Sequence, residues 1–197
     1  MTEFWNERYA AQEYVYGTKP NSYFKKQIEQ LVPGKILFPA EGEGRNAVYA
    51  AKLGWDVYAF DSSNEAKKKA EMLAQSQNVK IEYQINDIDA ATFPPDFFDC
   101  IVLIFAHFHP FERAGFHNKL LSFLKPGGTI ILEGFSKKQM QYNSGGPRNL
   151  EMLFSTEEIR TDFSSLKETE LSETETWLDE GRFHQGTASV IRMVGRK

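Results

Sequence analysis

Short apolar runs recur along the chain between polar segments, and this pattern predicts a sheet of seven strands. Four of the runs are almost continuously apolar, which is typical of parallel strands that are buried on both faces. A further segment alternates apolar and polar residues, and the last two segments flank Gly181, which predicts an antiparallel hairpin. The predicted strands are Ile36–Phe38, Val57–Phe60, Val79–Asn86, Phe98–Phe105, Thr129–Gly134, Leu166–Leu178 and Ala188–Gly195.

Helical segments lie between these strands, and several carry start and stop signals. Arg45–Leu53 is rich in alanine and is followed by glycine, a residue type that commonly ends a helix. Ser62–Glu65 and Ser155–Glu158 both place serine three residues before glutamate, the capping box that opens a helix. Pro110 suits the first turn of a helix that is predicted over Phe111–Leu124. The alternation of strands and helices predicts a doubly wound, mostly parallel α/β domain with a C-terminal antiparallel hairpin.

The N-terminal segment is rich in aromatic residues. Phe4, Trp5 and Tyr9 recur at helical spacing, and a second helix is predicted over Asn21–Leu31. Most of these side chains are expected to pack on the core, but an aromatic lid that excludes water from a ligand would use the same residues. Residues 1–32 are therefore interpreted as a helical lid segment of a single domain that covers residues 1–197.

One strand–turn–helix–strand unit carries the most informative chemistry. The turn Ala40–Gly44 is rich in glycine, so a ligand can approach its backbone without meeting a Cβ atom. Asp61 follows at the carboxyl end of the next strand, about 20 residues after the turn. Ligands of open α/β sheets bind beyond the carboxyl ends of the strands, and an acid at this spacing can accept both ribose hydroxyls of a nucleoside. The glycines alone would also fit an ordinary turn between a strand and a helix.

The charge of the turn bears on which nucleoside would bind. Gly42, Gly44 and Ala47 formally fit the Gly-x-Gly-x-x-Ala fingerprint of dinucleotide-binding proteins, so NAD is a candidate. A pyrophosphate at this helix N-terminus would lie beside Glu41 and Glu43, and the two carboxylates would repel it. S-adenosylmethionine presents a sulfonium and an ammonium at the same end, and these cations suit an acidic turn.

The segments Glu41–Ala51, Gly54–Val57 and Phe60–Ser63 resemble the class I S-adenosylmethionine-dependent methyltransferases, and within them the small bacterial tellurite-resistance type. A later Leu-Lys-Pro-Gly-Gly turn before a strand is a further similarity. The likeness covers nearly the whole chain and implies a Rossmann-like fold of seven strands with S-adenosylmethionine as the cofactor. Phe38 and Ala40 depart from the family pattern, which has an acid and a glycine at these positions.

The turn and the resemblance together predict the cofactor contacts. Asp61 is expected to bind the ribose, and the resemblance implies that Asp87 accepts from the adenine amine. Glu41 or backbone carbonyls would replace the missing acid near the ammonium, Arg45 would offset the methionyl carboxylate, and Tyr16 would adjoin the cofactor. The candidate cofactor-binding residues are Tyr16, Ala40, Glu41, Gly42, Arg45, Asn46, Asp61, Ser62, Asp87, Ile88 and Ile104.

The histidines and one arginine supply the remaining candidates. His107, His109 and His117 lie within 11 residues, but the fourth histidine is far along the chain, so no metal site is predicted. His107 follows the longest apolar strand, where the methyl acceptor is expected, and is therefore the candidate for acceptor contact or general-base work. Arg148, in a polar loop that should lie over the acceptor, is a candidate anion contact.

Composition and charge narrow the partners and the location. The net charge of −4 leaves no basic footprint, so nucleic acid is not an expected partner. The single cysteine, Cys100, suits a reducing cytoplasm. The N-terminal residues lack the pattern of a signal peptide, and no apolar run reaches the length of a membrane span. The expected location is the cytoplasm, and no oligomeric state is predicted.

The sequence therefore predicts methyl transfer from S-adenosylmethionine to a small-molecule acceptor, with a thiol or a chalcogen oxyanion as candidates. Such a displacement needs mainly alignment and dry surroundings from the protein, because the cofactor supplies its own leaving group. Two alternatives remain open at this point. One is an NAD-dependent oxidoreductase, and the other is a non-catalytic module that binds a nucleoside cofactor.

Overall fold

The computed structural model describes residues 2–197, which form one sheet of seven strands with helices on both of its faces. The order of the strands across the sheet is β3-β2-β1-β4-β5-β7-β6. The strands are β1 (Lys35–Pro39), β2 (Asp56–Asp61), β3 (Glu82–Ile85), β4 (Phe98–Ile104), β5 (Leu124–Phe135), β6 (Lys167–Asp179) and β7 (Gln185–Arg196).

The first five strands run parallel, and the last two form the predicted hairpin. β7 pairs antiparallel with both β5 and β6, so the hairpin closes one edge of the sheet. Gly181 lies in the connection between β6 and β7 with a φ of 79°, a conformation that glycine adopts without strain. The predicted α/β fold, mostly parallel with a C-terminal antiparallel hairpin, is therefore confirmed.

Six α-helices connect or cover these strands within the described residues. Two of the predicted helix starts are seen: Pro110 opens its helix, and Ser155 and Glu158 form a complete capping box. The helices are α1 (Thr2–Tyr9), α2 (Ser22–Ile28), α3 (Arg45–Lys52), α4 (Asn64–Ser76), α5 (Pro110–Phe123) and α6 (Thr156–Asp162). None of them is long and apolar enough to cross a bilayer.

Some predicted boundaries are wrong by a few residues. The segment predicted as a strand over Val79–Asn86 pairs only over Glu82–Ile85, because it lies at the sheet edge and has β2 as its single neighbour. Helix α4 is capped by Ser63 and not by Ser62, since the Ser63 hydroxyl accepts from the backbone N–H of Ala66 at 3.2 Å. The Lys-Pro-Gly-Gly turn is part of strand β5, which begins at Leu124.

The continuous apolar runs bury both faces of the sheet. Successive residues of a strand point to opposite faces, so Ile101 and Leu103 pack in one core while Cys100 and Val102 pack in the other. This burial explains why β4 lies at the centre of the sheet. Burial on both faces also fixes the register of the parallel strands, because a shift by one residue would exchange the two cores.

The parallel arrangement brings the predicted site residues to one edge of the sheet. The carboxyl ends of parallel strands meet at the same edge, and the glycine turn follows β1 there. Asp61 ends β2, Asp87 follows β3, and Phe105–His107 follow β4. The same edge is therefore the candidate functional site.

Candidate functional site

The glycine turn has backbone angles that explain its composition. Gly42 and Gly44 have φ angles of 65° and 85°, in the left-handed region that favours glycine. A Cβ atom at Gly42 would lie 2.7 Å from the Tyr9 hydroxyl, and one at Gly44 would lie 2.6 Å from the Ala70 Cβ. Helices α1 and α4 thus pack directly on the turn, and neither position has room for a larger residue.

Glu41 binds the N-terminus of helix α3. Its Oε1 accepts from the backbone N–H groups of Asn46 at 2.9 Å and Ala47 at 2.8 Å. The N-cap residue, Gly44, has no side chain that could do this. A carboxylate at this place complements the helix dipole, so the protein itself fills the position that a pyrophosphate would need. Burial raises the pKa of Glu41 to about 7.

Asp61 is buried at the end of β2 and holds the turn in place. Its Oδ2 accepts from the Gly42 N–H at 3.0 Å, and its Oδ1 accepts from the Ser63 N–H at 2.9 Å. Burial raises the pKa of Asp61, and these backbone hydrogen bonds oppose the rise. A carboxylate has about four acceptor positions. The two hydrogen bonds therefore leave capacity for two ribose hydroxyls.

The other predicted cofactor contacts of this edge vary in exposure. Asp87 is exposed, and its Oδ1 accepts from the Ala90 N–H at 3.0 Å, as a turn residue would. Ile88 is buried in the core, whereas Ile104 and Ser62 are half-buried and Ala40 is exposed. Their backbone positions follow the ends of β1–β4, which is where a nucleoside would lie.

The charge of Glu43 is already compensated within the protein. The Lys69 ammonium lies 2.8 Å from Glu43 Oε1, and the Tyr16 N–H donates to Oε2 at 3.2 Å. The Lys69 side chain is therefore directed towards the glycine turn and does not extend from helix α4 into solvent. Glu41, in contrast, has no cationic side chain within ion-pair distance in residues 2–197. The repulsion of a pyrophosphate would therefore come mainly from Glu41.

Arg45 is paired with a residue far along the chain. Its Nη2 lies 2.8 Å from Glu180 Oε2, and its Nη1 donates to the Tyr16 carbonyl at 3.3 Å. Burial acts to raise the pKa of Glu180, but the neighbouring His184 and Arg45 outweigh it and lower the pKa to about 2. If Arg45 binds the methionyl carboxylate as predicted, its guanidinium contacts both that carboxylate and Glu180.

Asn21 joins the cofactor side of the edge to the hairpin. Its Nδ2 donates to Glu133 Oε1 at 2.7 Å and to Glu180 Oε1 at 2.9 Å, while its N–H donates to Asn46 Oδ1 at 2.9 Å. Glu133 is completely buried and also accepts from the Arg192 guanidinium. Residues in α3, β5 and β7, together with the N-cap of α2 and the residue after β6, thus share one buried hydrogen-bond network.

His184 was not a predicted site residue, and it lies buried among aromatic side chains at this edge. Its ring centroid lies 4.5 Å from that of Tyr16, 4.5 Å from that of Phe105 and 5.2 Å from that of Phe135. The residue is 6% exposed, and its Nδ1 has no hydrogen-bond partner, although Glu180 Oε2 is 3.6 Å away. Burial lowers the pKa of His184, so the ring is neutral near pH 7 and can accept a proton.

The geometry at His107 does not support the predicted role in acceptor contact or proton transfer. Its Nδ1 lies 2.8 Å from the Met152 carbonyl, and its Nε2 accepts from the Phe135 N–H at 3.0 Å. Both ring nitrogens are therefore committed to the backbone, and the ring stacks on Phe154 at 4.5 Å. Burial lowers the pKa of His107 to about 4. These contacts make it a structural residue that fixes the loop after β5.

Two further predictions concern metals and anions. Among residues 2–197, no three His, Cys, Asp or Glu side chains converge in a way that could hold a metal ion. Arg148 is exposed, and its guanidinium donates to the Tyr142 carbonyl at 2.9 Å and to Asn143 Oδ1. Its contacts therefore stay within its own loop.

Comparison with known proteins agrees with this arrangement. Residues 36–128 match a family described as "Methyltransferase domain". This part of the chain is similar to a methyltransferase domain. It contains the glycine turn, Asp61, Asp87 and His107, and it ends at the turn that lies within β5. The predicted cofactor, S-adenosylmethionine, is confirmed by this match together with solved structures of the same fold that are described as SAM-dependent methyltransferases or with bound SAH.

Several solved structures share this fold, and some of them are described as methyltransferases. A structure described as "Conversion of a Disulfide Bond into a Thioacetal Group during Echinomycin Biosynthesis" has a TM-score of 0.83 at 16% identity, covering 100% of this chain and 91% of that one. TehB from Haemophilus influenzae has a TM-score of 0.74 at 18% identity, covering 100% and 66%. Magnesium protoporphyrin IX methyltransferase from Synechocystis, described with bound SAH, has a TM-score of 0.68 at 16% identity, covering 88% and 81%.

A curated relative acts on RNA. The tRNA (uracil(54)-C(5))-methyltransferase of Pyrococcus furiosus is 28% identical over 162 residues, which is 73% of this chain and 37% of the relative. The chain thus spans about a third of the length of that relative. The prediction that nucleic acid is not a partner is therefore not supported by the comparisons.

Proposed function

We propose that this protein transfers a methyl group from S-adenosylmethionine to a small acceptor that carries a thiol or a chalcogen oxyanion. The observation that carries the proposal is the position of Asp61, buried at the end of β2 and bonded to the Gly42 N–H at 3.0 Å. The carboxylate and the glycine turn thus form one unit at the edge where nucleosides bind. The chalcogen acceptor is a candidate because Glu41–Ala51 and Phe60–Ser63 resemble the tellurite-resistance type of methyltransferase.

The residues of the carboxyl edge fit the parts of the cofactor. Asp61 would accept from the ribose hydroxyls, and Glu41 would lie near the ammonium group. Asp87 and the backbone at Ile88 would hold the adenine, with Ile104 beneath it. When bound, S-adenosylmethionine supplies an activated methyl group and its own leaving group. The remaining candidates for this site are Tyr16, Ala40, Gly42, Arg45, Asn46 and Ser62.

His184 is the residue best placed to accept a proton from the acceptor. Its neutral ring lies among Tyr16, Phe105 and Phe135, and Glu180 lies behind its Nδ1 at 3.6 Å. A carboxylate in that position would stabilise the imidazolium that forms after proton transfer. A thiol needs to lose its proton before it attacks the methyl carbon, whereas an oxyanion does not.

The N-terminal residues 1–32 would act as a lid over this site, as the sequence predicts. Tyr9 packs against the glycine turn, and the Ser63 hydroxyl donates to Asn6 Oδ1 at 2.7 Å. The Tyr16 backbone is held by Glu43 and Arg45. A closed lid would exclude water and strengthen the electrostatic contacts inside the site.

The expected location is the cytoplasm, and the expected partner is a small molecule. The thiol of Cys100 is free and buried, which suits a reducing compartment. The net charge of −4 offers no general attraction to a polyanion, so RNA is the less favoured acceptor.

Two experiments test the proposed function. Isothermal titration with S-adenosylmethionine, its demethylated product and NAD should show binding of the first two only, and binding of NAD alone would indicate an oxidoreductase. Methylated product should then form from at least one member of a panel of thiols, selenite and tellurite. Cofactor binding without any product would favour a non-catalytic module, and product from an unmodified tRNA transcript alone would replace the small acceptor by RNA.

A further inference from the structure

Arg8 is half-buried, and among the buried and half-buried arginines of residues 2–197 it alone lacks a carboxylate partner. Its guanidinium carbon lies 4.5 Å from the Phe4 ring centroid and 4.4 Å from that of Phe183. Its Nη1 donates to the Tyr16 hydroxyl at 3.0 Å. The cation therefore packs on aromatic rings and donates to one neutral hydroxyl.

The other arginines that are buried or half-buried all have a carboxylate within ion-pair distance. Arg45 pairs with Glu180, Arg113 with Asp162, and Arg192 with Glu133. A guanidinium that is partly removed from water loses hydration, and an opposite charge normally compensates that loss. The unmatched charge of Arg8 is thus an exception within this protein.

The position of Arg8 links two parts of the proposed acceptor site. It lies on α1, in the lid segment, and it contacts Phe183, which directly precedes His184 at the end of the connection between β6 and β7. The Tyr16 ring joins the two, because its hydroxyl accepts from Arg8 and its centroid is 4.5 Å from that of His184. The buried His184 has its Nδ1 3.6 Å from Glu180 Oε2, so Arg8, Tyr16, His184 and Glu180 form one contiguous cluster.

We propose that Arg8 binds an anionic group of the methyl acceptor and thereby makes the enzyme selective for negatively charged acceptors. The inference rests on the proposed methyl transfer and adds the charge class of the acceptor. Four of the five guanidinium N–H groups remain available after the bond to Tyr16, and a carboxylate or oxyanion can bind two of them side by side. The anion would then join the lid to the hairpin, with the reacting atom directed towards His184.

A matched pair of thiols gives the test. We expect the protein loaded with S-adenosylhomocysteine to bind 3-mercaptopropionate at least about tenfold more tightly than 3-mercaptopropanol, measured by isothermal titration. Arg8→Gln keeps a donor for the Tyr16 hydroxyl and removes the charge. It should reduce the difference between the two thiols to less than about threefold, mainly by weakening the binding of the carboxylate.

Arg182→Gln is the matched control, because Arg182 is exposed and its guanidinium carbon lies 5.5 Å from the centroid of the same Phe183 ring. It should keep the preference of the wild type. The inference is wrong if the wild type shows no preference, or if the preference survives in Arg8→Gln. Failure of the proposed function would be seen separately, as absent binding of S-adenosylhomocysteine or absent product. Because the Arg8 test is an equilibrium comparison, the thiols can be titrated into the protein alone in that case.

Discussion

The Arg45 guanidinium and the Glu180 carboxylate form a buried ion pair of 2.8 Å between the first helix after the glycine turn and the end of the penultimate strand. The pair connects residues that are 135 positions apart in the sequence. It therefore fixes the hairpin, and His184 with it, against the cofactor side of the site.

The first prediction concerns this pair. Glu180→Ala leaves the buried Arg45 guanidinium without its carboxylate, and loss of one partner of a buried pair costs about 3–5 kcal/mol. We expect the free energy of unfolding to fall by that amount in urea denaturation. Glu168→Ala is the control, because Glu168 is exposed and pairs with Arg160 at 3.4 Å on the surface, where such pairs contribute about 0–1 kcal/mol. Equal losses in the two variants would contradict the account of the pair.

The second prediction separates the two histidines of the carboxyl edge. His184→Gln should lower kcat for thiol acceptors about 100-fold or more, because a general base contributes about 10²–10⁴. The loss should be much smaller for tellurite or selenite, which attack without losing a proton. Steady-state kinetics with both kinds of acceptor measure this difference. The same loss for both kinds would exclude His184 as the base.

His107→Ala should reduce the stability of the protein and leave its catalysis nearly unchanged. It leaves the Met152 carbonyl and the Phe135 N–H without their partner, and each unsatisfied buried group costs about 1–3 kcal/mol. We expect a lower free energy of unfolding, with little change in kcat at temperatures where the variant is folded. A loss of kcat without a loss of stability would restore the catalytic role that the sequence suggests.

The third prediction follows from the pKa of His107. Burial lowers it from an ordinary value of 6.5 to about 4, so the unfolded chain binds more protons than the folded protein between these pH values. The stability due to the neutral ring is complete above about pH 6.5 and is lost as the pH falls towards 4. Because other groups also titrate, the relevant quantity is the difference in unfolding free energy between the wild type and His107→Gln. This difference should shrink between pH 7 and pH 5, and a constant difference would contradict the prediction.

The sequence allowed the fold to be predicted more fully than the site. The continuous apolar run around Ile101 and Leu103 indicates a strand directly, because a strand that is buried on both faces of the sheet has apolar residues at almost every position. Asp61 and the glycines are likewise local signals, since one turn and the next strand contain them. The seven strands and the cofactor therefore followed from short segments of the chain.

The acceptor side could not be predicted in the same way. His184 and Glu180 approach Arg45 and Tyr16 only because the hairpin pairs with β5, and no local pattern encodes such a contact. His107 was favoured because it follows the central strand, but the hydrogen-bonding partners that occupy both its nitrogens lie 28 and 45 residues away. Asn21 gave a partial signal, because asparagine commonly caps a helix and so predicts the start of α2. Its further hydrogen bonds to Glu133 and Glu180 could not be predicted from that signal.

The fourth prediction concerns the pH dependence of cofactor binding. Burial raises the pKa of Glu41 to about 7 in the free protein, and the ammonium of a bound cofactor would favour the ionised carboxylate. Binding should therefore release a proton below pH 7, and affinity should rise with pH until it levels off above that value. Titration calorimetry in buffers of different ionisation enthalpy measures the proton release. Glu41→Gln should remove this dependence, and an unchanged pH profile in that variant would exclude Glu41 as its source.

The most direct test of the assigned cofactor site is the affinity of Asp61→Asn for S-adenosylmethionine, measured by isothermal titration beside the wild type. The substitution keeps the size of the side chain and removes its charge, and hydrogen bonds to a charged group contribute about 1.5–3 kcal/mol. We predict that the dissociation constant rises about tenfold to a hundredfold while the thermal unfolding curve stays cooperative. An unchanged dissociation constant in a folded Asp61→Asn protein would contradict the central claim that this carboxylate binds the ribose of the cofactor.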